Sequence, residues 1–256
     1  MIGKLKMLST VLLIGTALAV TSCSDDSTEN IADSAETKKN LSNQRGKENK
    51  NKVLFNFRND PESYIKEVDF IVEARKSFKN TPLIDKKTEY GGPCTLTAED
   101  SENKDVFRLH VKNGGDDYYF PWVNRGIGEV KVPKDAPNGT IVTTGGMNGC
   151  ALVVTEVGNH FIFYHDADSN SLGVIKEAQG QEVFRLEPKD YDPLDTGIKI
   201  MEQNPGSGIA FLHQFMIVKH KDKWKVFTSS ILIGPGINLP VIRPFAATAS
   251  KYFGSF

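Results

Sequence analysis

The sequence predicts a β-rich α+β domain over residues 53–256, a central mixed β-sandwich with flanking helices. Three observations lead there. From Lys86 onward, short runs of alternating apolar residues recur between Gly, Pro and Asn breaks. Two longer alternating runs, Ile209 to His220 and Lys223 to Ile233, meet at Lys221-Asp222 as a long hairpin. Helical spacing is confined to one stretch at each end of the domain, and no internal repeat is visible.

The chain begins with a segment that is not part of this fold. Lys4 and Lys6 precede an apolar run from Met7 to Val20, and residues 1–22 read as a secretory signal peptide. Val20-Thr21-Ser22-Cys23 resembles a bacterial lipobox, which implies lipidation of Cys23, an anchor in the membrane and an exported bacterial lipoprotein at the outer membrane or cell surface, or one released or delivered to a host cell. Residues 23–52 are rich in Ser, Asn, Asp, Glu and Lys without periodicity and read as a disordered tether. Removal of the signal leaves 29 basic against 32 acidic residues, a net charge of −3, which gives no basic field for nucleic acid.

Order is expected near Val53. Asp60-Pro61-Glu62 is a helix start, followed at helical spacing by Tyr64, Ile65, Val68, Ile71, Val72 and Phe78 and stopped at Asn80-Thr81-Pro82. Strands are then expected at Val106 to Lys112, Gly128 to Val132, Thr140 to Thr143, Val183 to Glu187 and Gly197 to Met201, before the long hairpin. Ala246 to Phe253 reads as a terminal helix.

The chemistry concentrates between Thr143 and His165. Val157-Gly158-Asn159-His160 has the composition of a two-residue hairpin turn and sets a register pairing Val157 with His160, Thr155 with Ile162 and Leu152 with His165. Side chains alternate faces, so Cys150 shares a face with Leu152 and His165. Such diagonal neighbours lie about 7–8 Å apart at the backbone, within reach of a thiol and an imidazole. A one-residue slip would separate them.

A Cys and a His on one face are the minimum for thiol-based acyl transfer. The glycines at 145, 146 and 149 can turn backbone N–H groups inward as oxyanion donors, or serve a tight loop between strands. His160 falls on the opposite face from His165, and no Cys-x-x-Cys or His-x-x-x-His spacing occurs, so no metal site or cofactor is expected. His110, His213 and His220 sit in strand-like segments without partner motifs and read as structural or surface residues.

Asn148-Gly149-Cys150 ahead of an apolar strand, with Phe161-Ile162-Phe163-Tyr164-His165 after it, resembles the catalytic domain of the cytotoxic necrotizing factor toxins. The Cys-to-His interval of 15 residues is the same, although Asn148 stands where that family usually has Ser. The resemblance covers roughly residues 106–235, and only the Cys-to-His stretch is specific. It implies a protein-glutamine deamidase, or a transglutaminase, with Cys150 as nucleophile, His165 as base and the backbone of Gly149 and Cys150 as oxyanion site. The implied substrate is a protein with an exposed Gln, of the Rho-family small GTPase kind. Related chemotaxis-receptor deamidases carry a Thr six residues before the Cys, a place held here by Thr144.

Two other readings compete. With Cys23 lipidated, Cys94 and Cys150 are the remaining cysteines of an exported chain, and a disulfide between them would make the protein a non-enzymatic surface binding module. In that comparison a thiol of lowered pKa at Cys150 would favour catalysis. A papain-like cell-wall peptidase would set its Cys at a helix N-terminus, whereas Ala151-Leu152-Val153-Val154-Thr155 reads as strand.

Overall fold

Period-two alternation of apolar residues produces strands with one or both faces buried, and here thirteen of them assemble among the described residues into two sheets. The structure is a computed structural model that describes residues 52–74, 88–101, 105–203, 205–206, 210–233 and 252–256. The expected signal peptide, Cys23 and the tether through residue 51 lie outside them.

Helix α1 (52–59) and the short α2 (Pro61–Tyr64) precede β1 (Asp69–Glu73), β2 (Thr88–Tyr90), β3 (Gly92–Asp100), β4 (Val106–Asn113), β5 (Asp117–Phe120), β6 (Ile127–Pro133) and β7 (Ile141–Thr144). The central hairpin β8 (Ala151–Val157) and β9 (His160–Asp166) follows, then β10 (Gln181–Leu186), α3 (Pro188–Tyr191) and α4 (Thr196–Gln203). The long hairpin β11 (Ala210–His220) and β12 (Lys223–Ile233) and the edge strand β13 (Tyr252–Ser255) complete the set.

The larger sheet runs β1-β4-β3-β5-β7-β11-β12-β13 and the smaller β10-β8-β9-β6-β2. Both are mixed: β1/β4, β5/β7 and β2/β6 pair parallel, and the other neighbours antiparallel. The larger sheet curls, so that the Phe70 amide of β1 donates to Ser229 Oγ of β12 at 3.0 Å.

The inner faces of the two sheets meet in one core. Phe120, Val142, Phe215, Ile217 and Val226 of the larger sheet pack with Val130, Leu152, Val154, Phe163 and Leu186 of the smaller. The other face of the larger sheet is covered by Val53, Leu54 and Phe57 of α1. Arg58 fastens that helix through a bidentate pair with Asp117 at 2.7 and 2.6 Å. The layers are thus helix, sheet, sheet, as the β-rich α+β class requires.

The hairpin register is the one read from Gly158-Asn159: Val157 pairs with His160, Thr155 with Ile162 and Leu152 with His165. The long hairpin also turns at Lys221-Asp222, both at positive φ. Four expectations are corrected. The helix begun at Asp60, whose carboxylate accepts from the Ser63 amide at 3.4 Å, ends at Tyr64. Beyond it Ile71 and Val72 lie in β1, where β-branched residues pack along β4. Phe78 and the expected stop at 80–82 lie outside the described residues.

Residues 197–201, expected as strand, are helical in α4. The Asp192 carboxylate accepts the amides of Thr196 and Gly197 at 2.8 Å each and starts that helix. Of the expected terminal helix, residues 246–251 lie outside the described residues, while Tyr252 and Phe253 are strand. The Cys94–Cys150 disulfide is absent. Both thiols are free, and the two residues belong to separate cores on opposite sides of the larger sheet.

Candidate active site

The site lies between the sheets, where β7 and β9 face each other. His165 is the sixth residue of β9, paired with Leu152 on one side and Gly128 on the other. Gly128 has no side chain because the Pro121 carbonyl fills that place: a Cβ there would stand 1.6 Å from the oxygen. The segment from β5 to β6 is therefore drawn tightly over His165, and the Phe120 ring meets the imidazole edge-on at 6.5 Å. His165 is wholly buried.

Thr144 ends β7 on the inner face of the opposite sheet. Its Oγ1 lies 2.9 Å from His165 Nδ1, a hydrogen bond that bridges the two sheets. An imidazole acting as base at Nε2 carries its proton on Nδ1, and in that tautomer Nδ1–H donates to Thr144 Oγ1. His165 Nε2 itself has no hydrogen-bond partner, although it is buried. A buried nitrogen without a hydrogen-bond partner is costly.

Cys150 precedes the first ladder pair of the hairpin, Ala151 with Asp166, and packs in the core shared by Leu152, Val154 and Phe163. It therefore lies on the same face as His165, two positions along the ladder. Its side chain is only 4% exposed, so the resting site is closed. Gly149 stands at φ +80°, a left-handed conformation that turns the backbone sharply into the cysteine.

The turn before Cys150 is held on several sides. Met147 exchanges both backbone hydrogen bonds with His213 of β11, at 2.8 and 2.9 Å. Ser169 Oγ donates to the Gly149 carbonyl at 3.1 Å. The Tyr191 hydroxyl donates to the Cys150 carbonyl at 2.6 Å. Gly197 of α4 lies against the Asn148 side chain, leaving no room for a Cβ.

Burial dominates the electrostatics. It pushes the Cys150 thiol up, reinforced by the charges of Asp168 and Asp166 and opposed by backbone hydrogen bonding at Asp168 and Asn148, where the thiol donates to the Asn148 carbonyl at 3.9 Å. It pushes His165 down to about 3. The lowered thiol pKa that would favour catalysis is therefore not found in this closed arrangement. The resting pair is a neutral thiol and a neutral imidazole, because a desolvated ion pair in an apolar core costs more than it returns. Cys94, in the other core, is raised to about 12, chiefly by burial.

A second imidazole went unread as a site neighbour. His213 is buried on the inner face of β11, with Nδ1 2.8 Å from Ser230 Oγ and Nε2 4.0 Å from Asp192 Oδ2. Its Nε2 also lacks a hydrogen bond. His160 is on the far face of β9 from His165, half-exposed, and His110 pairs with Glu99 at 2.8 Å and lies 3.6 Å from Glu73. Among the described residues no cluster of His, Cys, Asp or Glu has the makings of a metal site.

No family model matches the chain, and no curated protein matches it. Five chains of solved structures match. One is the C-terminal domain of CNFy from Yersinia pseudotuberculosis, with a TM-score of 0.29 and 11% identity over 60% of this chain and 70% of that one. A likeness of that size carries no residue roles and no activity across.

Proposed function

We propose that the protein is a cysteine-dependent protein-glutamine deamidase, with Cys150 as nucleophile, His165 as general base and acid, and Thr144 holding the imidazole. The observation that carries this reading is the hydrogen bond between Thr144 Oγ1 and His165 Nδ1 at 2.9 Å, which leaves an unpartnered Nε2 on the face that Cys150 shares. Orientation of the base by a third group is the recurring logic of activated nucleophiles.

The chemistry follows from these groups. A substrate carboxamide entering the site displaces the contacts that close it. His165 Nε2 takes the proton of Cys150 Sγ as the thiolate forms a C–S bond to the amide carbon. The oxyanion is received by the backbone N–H groups of Gly149 and Cys150. The imidazolium gives its proton to the leaving nitrogen, ammonia departs, and the C–N bond is broken. Water then attacks the thioester, with His165 taking its proton, and a glutamate side chain leaves. A primary amine in place of water gives transglutamination on the same residues.

The motif resemblance supports a protein substrate of the Rho-family small GTPase kind. The lipobox at 20–23 supports attachment to a membrane through Cys23, with release or delivery bringing the domain to such a target. The start of β8 directly after Cys150 speaks against a papain-like peptidase, in which a helix begins at the nucleophile. The test is mass spectrometry of small GTPases and a wider set of Gln-containing proteins after incubation with the purified protein. A gain of about 1 Da at a Gln, lost with Cys150→Ser, is expected from conversion of amide to acid. Retention of the gain by Cys150→Ser would sink the assignment.

A further inference from the structure

The turn that delivers Cys150 is braced by a segment the deamidase mechanism does not use. Glu187 and Asp190 form a reciprocal capping box that fixes α3. Tyr191, the last residue of α3, is 2% exposed, and its ring packs on His213 at 4.8 Å and on Phe215 at 5.3 Å. Asp192 then starts α4, which carries Gly197 onto Asn148. The phenol is thus held from three directions, and its hydroxyl is spent on the one peptide that leads from the cysteine into β8.

That peptide matters because Cys150 precedes the first pair of the β8–β9 ladder. The sheet does not fix its carbonyl, and at this depth water does not reach it freely. The hydroxyl donates to the Cys150 carbonyl at 2.6 Å. Burial, and after it the neighbouring Cys150 thiol, raises the Tyr191 pKa above its ordinary value, with backbone hydrogen bonding at Cys150 and Gly149 acting in the opposite direction.

We propose that Tyr191 is a positioning residue of this site: its hydroxyl holds the Cys150 carbonyl and so fixes where the cysteine stands as the chain enters β8. The inference rests on the reading of Cys150 as nucleophile. Tyr191 itself takes no proton and forms no bond in the chemistry. Its effect is on the placement of the nucleophile, and a small displacement of a reacting group is expensive.

The test is Tyr191→Phe, which keeps the ring contacts and removes only the hydroxyl. Two readouts are taken on the purified protein: kcat and KM for deamidation, and the pH profile of Cys150 alkylation by iodoacetamide. Cys94, in the other core, serves as an internal control of folding, since it stays protected while the sandwich is intact. The expected result is a kcat lowered about tenfold or more with KM changed less than about twofold, a displaced alkylation profile for Cys150, and Cys94 still protected. Phe215→Leu, which loosens the ring but leaves the hydroxyl, should lower the melting temperature with kcat nearly kept. An unchanged kcat and profile in Tyr191→Phe would overturn the proposal, as would a faster Cys150, which would make the phenol an obstruction. If Cys150→Ser keeps the deamidation, the catalytic reading fails by itself, and the alkylation profile alone then decides whether Tyr191 positions the cysteine.

Discussion

Two buried histidines on facing sheets share a local design and differ in what stands before the second nitrogen. His165 on β9 and His213 on β11 each have a hydroxyl at Nδ1, Thr144 at 2.9 Å and Ser230 at 2.8 Å, and each leaves Nε2 without a hydrogen bond. Beyond His213 Nε2 stands the Asp192 carboxylate at 4.0 Å, whose oxygens already accept the amides that start α4. His165 shares its face with a free thiol, Cys150, and no carboxylate contributes to its depressed pKa. The hydroxyl therefore does not distinguish a base from a structural imidazole. The surroundings differ: the Asp192 charge offsets part of the burial that pushes His213 down to about 4, and no charge offsets it at His165, pushed to about 3.

The largest expected effect separates the two directly. Cys150→Ser and His165→Gln should each lower kcat/KM for deamidation by roughly a thousandfold or more, since each removes a group that the proposed reaction uses. His213→Gln should leave kcat within about threefold and instead cost about 1–3 kcal/mol of stability in urea unfolding, by leaving Ser230 unpaired. Equal losses of activity at the two histidines would erase the distinction.

The hydroxyls sharpen it further. Thr144→Val should lower kcat by roughly ten- to a hundredfold, because the imidazole remains while its tautomer and direction are no longer held. Ser230→Ala, the matching deletion at the other histidine, should change only stability, by about 1 kcal/mol. Steady-state kinetics beside chemical denaturation gives both numbers for both variants.

Acid acts on the two together. Both imidazoles are depressed below the ordinary 6.5, so the unfolded chain takes up protons that the folded chain refuses. The stability they allow is complete above 6.5 and is lost as pH falls toward about 4 for His213 and about 3 for His165. Each should contribute a slope of about 1.4 kcal/mol per pH unit between pH 6 and 5. Replacing either by Gln should flatten the dependence measured by urea unfolding across that window. A slope unchanged by His165→Gln would mean that this ring is protonated in the folded protein.

The smallest effect concerns the approach to the cysteine. Gly149→Ala at φ +80° should cost about 1–2 kcal/mol from backbone strain alone, because open space surrounds a Cβ there. Thermal unfolding measures it, and a neutral result would mean that the turn relaxes without disturbing β8.

The hairpin and its register were legible in the sequence because a two-residue turn at Gly158-Asn159 leaves one pairing that buries the alternate apolar residues. The long hairpin was legible for the same reason. The stretch after Asp60 was not: Ile65, Val68, Ile71 and Val72 satisfy helical spacing, yet β-branched residues able to pack beside β4 follow the sheet. Residues 197–201 misled in the opposite sense, because Ile198 and Ile200 alternate like a strand and the cap that makes them helical sits at Asp192. Of the candidate site, Cys150 and His165 came from local pattern. Thr144 came with the family resemblance, and the bridge it makes between sheets is a tertiary contact that no local spacing contains. Tyr191 and His213 reach the Cys150 turn only once β10 and β11 are in place, so their roles had no local signature.

The central claim is that Cys150 and His165 convert protein glutamine to glutamate. The most direct measurement is proteome-wide mass spectrometry of a host-cell lysate incubated with the purified protein. The expected result is a gain of about 1 Da at defined glutamines, abolished in Cys150→Ser and in His165→Gln and kept in His213→Gln. The same glutamines modified by Cys150→Ser, or none modified by the unaltered protein, would contradict it.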